Sequence, residues 1–238
     1  MDVSTTTRAA GRPPLRTFRE LPSRPWFLVP PLRIVSDPGA AVLTMYTFQT
    51  REAYETLRRD GVLVGDSSKG ADDWAGEQVF REAYAWMRRQ MARRLPGPPH
   101  RGLLWLWPTA TRELLRDIAK YARGEVLLTV RVARERALLS EFSDWHAVLN
   151  RYLHVPVNPG ESEDEWELRW TALDDDFGAR AKPYDAAPIT EWPDELRVEI
   201  ESSWEAIFDP ATWRPKLNLQ ATISELRTAD VVRAVRIR

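Results

Sequence analysis

Residue types that commonly carry catalysis or bind metals are sparse in this sequence. It contains no cysteine and three histidines, His100, His146 and His154. None of them has the H-x-x-x-H or H-E-x-x-H spacing of a metal-ligand pair, and on one continuous helix His146 and His154 would be about 12 Å apart. Asp144, His146 and a distant serine could form a triad, although Asp144 is more simply a first-turn helix residue. No metal site is expected.

Motifs that bind phosphate or activate a serine are also missing. The sequence has no G-x-x-x-x-G-K-[ST] loop, no G-x-G-x-x-G fingerprint and no G-x-S-x-G elbow. Residues 161–176 hold eight acidic side chains against Arg169. Such a cluster could bind a hard cation, but it is more simply the solvated face of a helix or a surface loop.

Polar side chains recur on two segments that resemble strands. The first, Val42–Gln49, mixes β-branched and aromatic residues and carries Tyr46, Thr47 and Gln49. In the second, Leu217–Ser224, apolar residues alternate with Gln220, Thr222 and Ser224. Glu225 therefore points to the opposite face from Gln220 unless a bulge intervenes. The simpler interpretation makes Tyr46 a core aromatic, with Gln220 and Thr222 on the exposed side of a half-buried strand.

The elements between these two segments are mostly helical. Thr50 caps a helix that Gly61 ends, and apolar residues recur every three or four positions from Phe80 to Leu95. Further helices are predicted from Thr111 to Tyr121, from Ser143 through Tyr152 and from Pro193 to Phe208, with strands at 103–107, 126–132 and 235–237. Strands at both ends with helices between them predict an α+β domain with a mixed, mainly antiparallel sheet and flanking helices.

Composition predicts one domain behind an N-terminal arm. Residues 1–36 combine six Arg with Asp2, Glu20 and six prolines, so we interpret 1–40 as a disordered or loosely docked arm and 41–238 as a single α+β domain. The net charge of −1 gives no global reason to bind nucleic acid. No apolar run is long enough to span a membrane, and neither a signal peptide nor a disulfide is expected. A cytoplasmic location follows as the expectation, and the oligomeric state stays open.

A pattern along most of the chain resembles an uncharacterised bacterial domain-of-unknown-function family. It begins with Tyr46–Thr50 and continues through Leu138–Phe142, Trp145–Asn150 and Ser203–Asp209. It ends with Gln220-Ala221-Thr222 and Glu225-Leu226. This resemblance implies no activity. Asn150 and Glu201, polar residues on helices that carry Trp145 and Trp204, are secondary candidates for a site.

A second resemblance points to chemistry. The strand Tyr46–Gln49, the helix after it, the exit Gly61-Val62-Leu63 and the late strand Leu219–Thr222 resemble segments of DNA-targeting ADP-ribosyltransferase toxins. This implies an ADP-ribosyltransferase-like fold, with NAD as substrate. The chain departs from that pattern at Thr47, where those enzymes place a histidine, and at Thr222, where they place the catalytic glutamate.

The second resemblance also implies roles for individual residues. Cleavage of nicotinamide from NAD builds positive charge at the ribose, and a nearby carboxylate stabilises it. Tyr46, Thr47 and Gln49 would hold the cofactor, and Gln220, Thr222 and Glu225 would face the reacting carbon. These roles require the two strands to lie side by side, so that their polar residues line one crevice.

Three functions follow as hypotheses. The first is an NAD-dependent ADP-ribosyltransferase-like enzyme that modifies a nucleic acid or protein, in a toxin or defence role. The second is a non-enzymatic module of the same fold that binds a small molecule or a partner, which the missing histidine and glutamate favour. The third is nucleic-acid binding through the arm and the Arg-rich helix 81–94, which predicts a strong dependence of affinity on salt.

Overall fold

The computed structural model describes residues 18–28, 36–65, 77–97, 102–109, 111–213 and 219–238. Within these ranges the chain forms nine β-strands and six α-helices. The strands are β1 (Arg19–Arg24), β2 (Val42–Gln49), β3 (Val62–Val64), β4 (Leu104–Leu106), β5 (Val126–Ala133), β6 (Leu138–Glu141), β7 (Leu219–Ile223), β8 (Glu225–Arg227) and β9 (Val231–Ile237). The helices are α1 (Arg51–Asp60), α2 (Glu77–Arg94), α3 (Arg112–Tyr121), α4 (Phe142–Leu149), α5 (Glu163–Ala181) and α6 (Asp194–Trp204).

The strands form two sheets and a short ribbon. The first sheet has the order β1-β9-β5-β2, the second has the order β4-β7-β6, and β3 pairs with β8. Every pair is antiparallel except β1 with β9, which is parallel. The predicted α+β class, with a mixed and mainly antiparallel sheet, is confirmed.

The two sheets pack face to face over a shared apolar core. Leu43 and Leu128 from the first sheet and Leu106 and Ala221 from the second belong to one buried cluster. Because strand side chains alternate, the other face of each sheet is free to receive helices. Helix α3 packs on the outside of the first sheet, and helices α2, α4 and α6 pack on the outside of the second.

The two sheets are joined by a backbone bridge between Tyr46 and Trp107. The Tyr46 N–H donates to the Trp107 carbonyl (3.0 Å) and the Trp107 N–H donates to the Tyr46 carbonyl (2.7 Å). Strand β4, which pairs with β7, therefore lies between β2 and β7. The expectation that β2 and β7 are direct neighbours is wrong, because the short apolar strand β4 occupies the place between them.

Helix boundaries follow local signals in the first half of the chain. The Thr50 side chain accepts from the Ala53 N–H, and Gly61 ends α1 with φ 77°. The Thr111 side chain accepts from the Leu114 N–H at the start of α3. Each of these three residues plays the part that the sequence predicted, because caps depend on neighbours three or four positions away.

Two features of local structure were not predicted from the sequence. Strand β1 lies inside the segment interpreted as an arm, since Arg19–Arg24 adds in parallel to the edge of β9 and the Trp26 N–H donates to the Arg238 carbonyl (3.1 Å). Residues 1–17 and 29–35 of that segment lie outside the described residues. Helix α4 begins at Phe142 and ends at Leu149, short of the predicted Tyr152. The acidic stretch 161–176 lies largely in α5, whose outer face is exposed.

Candidate functional site

The residues of β2 that were predicted to hold a cofactor point to opposite sides of the sheet. Tyr46 is 1% exposed and packs on the α3 side, and its hydroxyl lies near Arg233. Burial raises the pKa of this hydroxyl. Thr47 faces the other way, where its Oγ1 donates to the Trp105 carbonyl (2.8 Å) and accepts from Gln49 Nε2 (2.8 Å). Because neighbouring strand residues alternate, Tyr46 cannot share one crevice with Thr47 and Gln49.

Gln220 and Thr222 are buried in the middle of the second sheet. Gln220 Nε2 donates to Ser140 Oγ (3.1 Å), and Thr222 Oγ1 donates to the Leu138 carbonyl (3.4 Å). Gln220 is 3% exposed and Thr222 is 0% exposed. The alternative that placed both on the exposed side of a half-buried strand is therefore wrong, because helices cover this face of the sheet.

Glu225 is separated from Gln220 and Thr222 by the end of β7. It lies on β8, where it pairs with Val64 of β3, and its carboxylate forms an ion pair with Arg227. The carbonyl of Glu225 accepts from Arg136 Nη2 (3.1 Å). The carboxylate therefore belongs to the β3–β8 ribbon, and its part in the predicted catalytic group is not supported by this placement.

Two of the predicted residues, Tyr46 and Gln220, do share a face of the sheets. Leu106 pairs with Ala221, so the next residues along, Trp107 and Gln220, lie opposite each other. Tyr46 bridges to Trp107 from the other side, and Ser140 pairs with Gln220. Tyr46, Trp107, Gln220 and Ser140 thus form one row across four strands, which we call the sheet row.

A cleft of about 370 Å³ opens beside this row, between α4, the segment 150–157 and α5. We call it the α4 cleft. Its aromatic wall comes from Trp166 and Trp170, which stack with ring centroids 6.2 Å apart. Its polar lining includes Glu141, Asp144, His146, Asn150 and His154.

Glu141 is the buried acid of the α4 cleft. Its side chain is the N-cap of α4, with Oε2 accepting from the Asp144 N–H at 2.7 Å. Glu141 is 3% exposed, and among the described residues this is the one hydrogen bond that reaches its carboxylate. The N–H groups and the dipole of a helix N-terminus favour a carboxylate at this position.

His154 comes close to Asp144 because α4 is short. Arg151 adopts φ 56° just beyond the helix, so the chain turns back and His154 lies beside Asp144, with Nε2 and Oδ2 3.8 Å apart. His146 instead places Nδ1 3.0 Å from the Phe142 carbonyl. The premise of one continuous helix was therefore wrong, and the imidazole beside Asp144 is that of His154. Among the described residues no group of three or more side chains could hold a metal ion.

The segment behind the α4 cleft is fixed on both sides. The His154 N–H donates to Ser203 Oγ (3.0 Å), and Trp204 Nε1 donates to the Tyr152 carbonyl (2.8 Å). On the other side Trp166 Nε1 donates to the Val155 carbonyl (2.8 Å). These bonds hold the segment between α6 and α5, so the cleft is already formed without a ligand.

Acidic groups dominate the charge of the α4 cleft. Glu141 and Asp144 line it, and neither lysine nor arginine is among the described residues that line it. Asn150, a secondary candidate from the sequence, also lines it and donates to the His146 carbonyl (2.7 Å). The cleft therefore suits a cation or a group rich in N–H donors, and it lacks the cationic side chains that a pyrophosphate requires.

Several arginines of helix α2 are neutralised by acids of the neighbouring elements. Arg89 pairs with Glu201 (2.9 Å), and Arg93 and Arg94 both pair with Glu205 (2.7 and 3.3 Å). These pairs reduce the charge that α2 could offer to a nucleic acid. The proposal that nucleic acid binds through this helix therefore gains no support from the arrangement of these arginines.

The sequence missed Glu141 and His154 as site residues. A local signal existed for Glu141, since this acid follows Leu138-Leu139-Ser140 and directly precedes an aromatic helix start. The contact between His154 and Asp144 depends on where the helix ends, and no short motif marks that point.

Comparisons with known proteins agree with the family pattern. Neither the curated proteins nor the solved structures contain a match to this chain, so the likeness to ADP-ribosyltransferases gains no support from them. No helix among the described residues is both long and apolar enough to cross a membrane. The model of the domain of unknown function DUF3841 matches residues 44–232. The chain therefore belongs to the DUF3841 family.

Proposed function

We propose that the protein is a binding module that takes a small organic cation in the α4 cleft. The observation that carries this proposal is Glu141, a carboxylate buried at the N-terminus of α4 that accepts one hydrogen bond from the described part of the chain. A desolvated carboxylate gains most from a partner that brings both positive charge and N–H donors. Trp166 and Trp170 offer aromatic faces to the same ligand.

An anionic ligand is less suitable for this cleft. Helix N-termini attract phosphates, but the N-terminus of α4 is already occupied by the Glu141 carboxylate. Asp144 adds a second negative charge to the lining. A cation with a flat apolar body fits the charge and the aromatic wall together.

Benzamidine is a direct probe, because its amidinium matches a carboxylate and its ring matches an indole face. Calorimetric titration should show saturable one-to-one binding that weakens as salt is raised. Glu141→Gln keeps an oxygen for the helix cap but removes the charge, so we expect benzamidine affinity to fall at least about tenfold.

Glu225→Gln is the matched control, since it removes the same charge from the β3–β8 ribbon. We expect it to bind benzamidine as the wild-type protein does. The proposal fails if benzamidine gives no saturable heat, or if Glu141→Gln and Glu225→Gln bind it equally well.

A second candidate is NAD-dependent ADP-ribosyl transfer to a nucleic acid or a protein. The observation that favours it is the sheet row, which brings Tyr46 and Gln220 to one face with Trp107 between them. In this proposal Tyr46, Thr47 and Gln49 serve NAD, and Gln220, Thr222 and Glu225 serve the reacting carbon. The placement of Thr47 and Glu225 described above weighs against it.

Incubation with millimolar NAD tests this second candidate through release of nicotinamide. Gln220→Ala and Glu225→Ala should both abolish the release if the predicted residues act in catalysis. Absence of NAD binding in calorimetry, with benzamidine binding intact, would leave the α4 cleft as the functional site.

A further inference from the structure

A second, smaller chamber lies between helices α2 and α6. It has a volume of about 50 Å³, and its walls are mostly apolar, with Ala83, Val148, Ile189 and Trp204 among the lining residues. A water molecule needs roughly 10–15 Å³ of such space, so the chamber has room for about three or four waters or one small molecule. It lies on a different face of α4 from the α4 cleft, since Val148 lines the chamber and Ala147 lines the cleft.

Two buried N–H donors line this chamber and have no acceptor. Trp86 is 1% exposed, and its Nε1 has no hydrogen-bond partner among the residues that the structure describes; the same is true of Arg151 Nε. The other nitrogens of Arg151 are bound, with Nη1 donating to the Asp185 and Ala187 carbonyls and Nη2 to Glu82 Oε2. Buried donors without an acceptor are rare in folded proteins, because each loses its hydrogen bonds to water.

Both donors are held rigidly. The Trp86 ring stacks on Phe208 (centroids 5.5 Å apart, planes at 17°) and meets Trp204 edge-on. Arg151 is fixed by its three hydrogen bonds and by its left-handed backbone, φ 56°, which residues other than glycine seldom adopt. Strained conformations of this kind persist where surrounding contacts hold them in place, often at binding sites.

The charges around the chamber are already balanced. Glu82 pairs with Arg151 (2.6 Å), and Glu201 pairs with Arg89 (2.9 Å). A charged ligand would leave one charge without a partner in a mostly apolar space. A neutral acceptor would satisfy both N–H groups and leave both ion pairs intact.

We propose that this chamber binds a small neutral carbonyl compound of about four or five heavy atoms, whose oxygen accepts from Trp86 Nε1 and Arg151 Nε. Its alkyl groups contact Ala83, Val148 and Ile189. This ligand differs in charge and in hydrogen-bonding role from the cation proposed for the α4 cleft. The two proposals are therefore tested independently.

Acetone is the probe, and the indole N–H signal of Trp86 in a ¹⁵N correlation spectrum is the readout. The signal of Trp86 is identified as the one that is missing from the spectrum of the Trp86→Phe variant. We expect acetone to move this signal downfield in a saturable way, because the N–H gains an acceptor. Xenon, which has no acceptor, should occupy the chamber without that downfield shift.

Trp86→Phe keeps the aromatic stacking and removes one donor, so acetone affinity, followed through the methyl signals of Ile189, should fall about fivefold. A crystal of the wild-type protein soaked in acetone tests the same proposal without a variant. Its electron density should show the acetone oxygen between Trp86 Nε1 and Arg151 Nε. A linear shift that never saturates, unchanged affinity in Trp86→Phe, or density for water alone would each overturn the proposal.

Discussion

Glu141 has two roles: it caps the start of helix α4, and its carboxylate lines the α4 cleft. Its Oε2 accepts from the Asp144 N–H (2.7 Å), which satisfies one of the free donors of the first turn of α4. The same carboxylate lies in the lining of the cleft. A single side chain therefore contributes to local stability and to the proposed recognition, and substitutions can separate the two contributions.

Glu141→Ala removes the cap together with the charge, and we expect it to lower the free energy of unfolding by about 1–2 kcal/mol. Glu141→Gln retains an acceptor oxygen and should remain within about 0.5 kcal/mol of the wild-type protein. Urea denaturation followed by tryptophan fluorescence measures both. Equal losses in the two variants would show that the charge, rather than the cap, carries the stability.

At the scale of elements, a bidentate ion pair connects the turn after β5 to the turn before β9. Arg136 Nη1 and Nη2 donate to Asp230 Oδ1 (2.7 Å) and Oδ2 (3.0 Å), and the side chains are 25% and 11% exposed. Asp230 Oδ2 also accepts from the Arg227 N–H (2.9 Å). This carboxylate therefore fixes its own turn and joins it to the distant turn that holds Arg136.

Asp230→Asn leaves the Arg136 guanidinium facing an amide N–H₂ group, and we expect the free energy of unfolding to fall by about 2–3 kcal/mol. Asp194→Asn is the control, because the Asp194 side chain is 85% exposed in its pair with Arg197. That change should cost less than about 0.5 kcal/mol in urea denaturation. A loss of similar size in both variants would contradict this account of Asp230.

A second ion pair fixes the segment before α5, which forms one wall of the α4 cleft. Arg169 Nε and Nη2 donate to Glu161 (2.7 and 2.6 Å), and Nη2 also donates to the Pro156 carbonyl (2.7 Å). The hydrogen bonds from Arg169, with that from the Asn158 N–H, lower the pKa of Glu161 from its ordinary 4.5 to about 2.

Because the folded-state pKa of Glu161 is lowered, the stability from this pair is fully present above pH 4.5 and is lost as pH falls towards 2. Glu161→Gln should therefore have a lower urea midpoint than the wild-type protein at pH 7. The difference should shrink between pH 4.5 and pH 2. A difference that stays constant across that range would rule out the ion pair as its source.

At the scale of the whole molecule, two glycines lie where the segment leaving β3 meets the segment entering β4, a contact that we call the crossing. A Cβ on Gly65 would lie 2.1 Å from the Leu103 carbonyl oxygen, and a Cβ on Gly102 would lie 1.9 Å from the Gly65 carbonyl oxygen. Both clashes are with backbone atoms. The segment leaving β3 and the segment entering β4 therefore touch directly at this crossing.

Gly65→Ala and Gly102→Ala should each lower the free energy of unfolding by at least about 3 kcal/mol, because the crossing backbones must separate. Gly178→Ala in α5 is the control, since its Cβ would meet no atom within 4 Å. There we expect a gain of about 0.5–1 kcal/mol from helix propensity. Thermal denaturation compares the three variants, and wild-type stability in Gly65→Ala would contradict the crossing.

The sequence predicted the elements better than it predicted their neighbours. Thr50, Gly61 and Thr111 set helix boundaries through contacts within four residues, and the alternation around Gln220 identified β7. Local patterns do not predict which strands pair over long distances in the sequence. They therefore missed that β4 lies between β2 and β7 and that β1 pairs with the edge of β9. The end of α4 at Leu149 was missed for the same reason, since hydrogen bonds to Ser203 and from Trp204 on α6 hold the segment that follows.

The candidate site was likewise predicted only in part. Tyr46 and Gln220 do share a face, yet Thr47 is on the other side of its strand and Glu225 belongs to a separate ribbon. Strand parity, which the sequence does reveal, had already placed Glu225 apart from Gln220. The α4 cleft depends on a turn at Arg151 and on packing between α4 and α5, which only the folded chain shows.

The central claim is that the α4 cleft, with Glu141 as its anionic anchor, is the ligand site of this protein. A crystal soaked in benzamidine tests it most directly. The account predicts difference density in the cleft, with the amidinium nitrogens within hydrogen-bond distance of the Glu141 carboxylate and the ring against Trp166 or Trp170. Density at the sheet row of Tyr46 and Gln220, or an empty cleft at concentrations that saturate binding in solution, would contradict it.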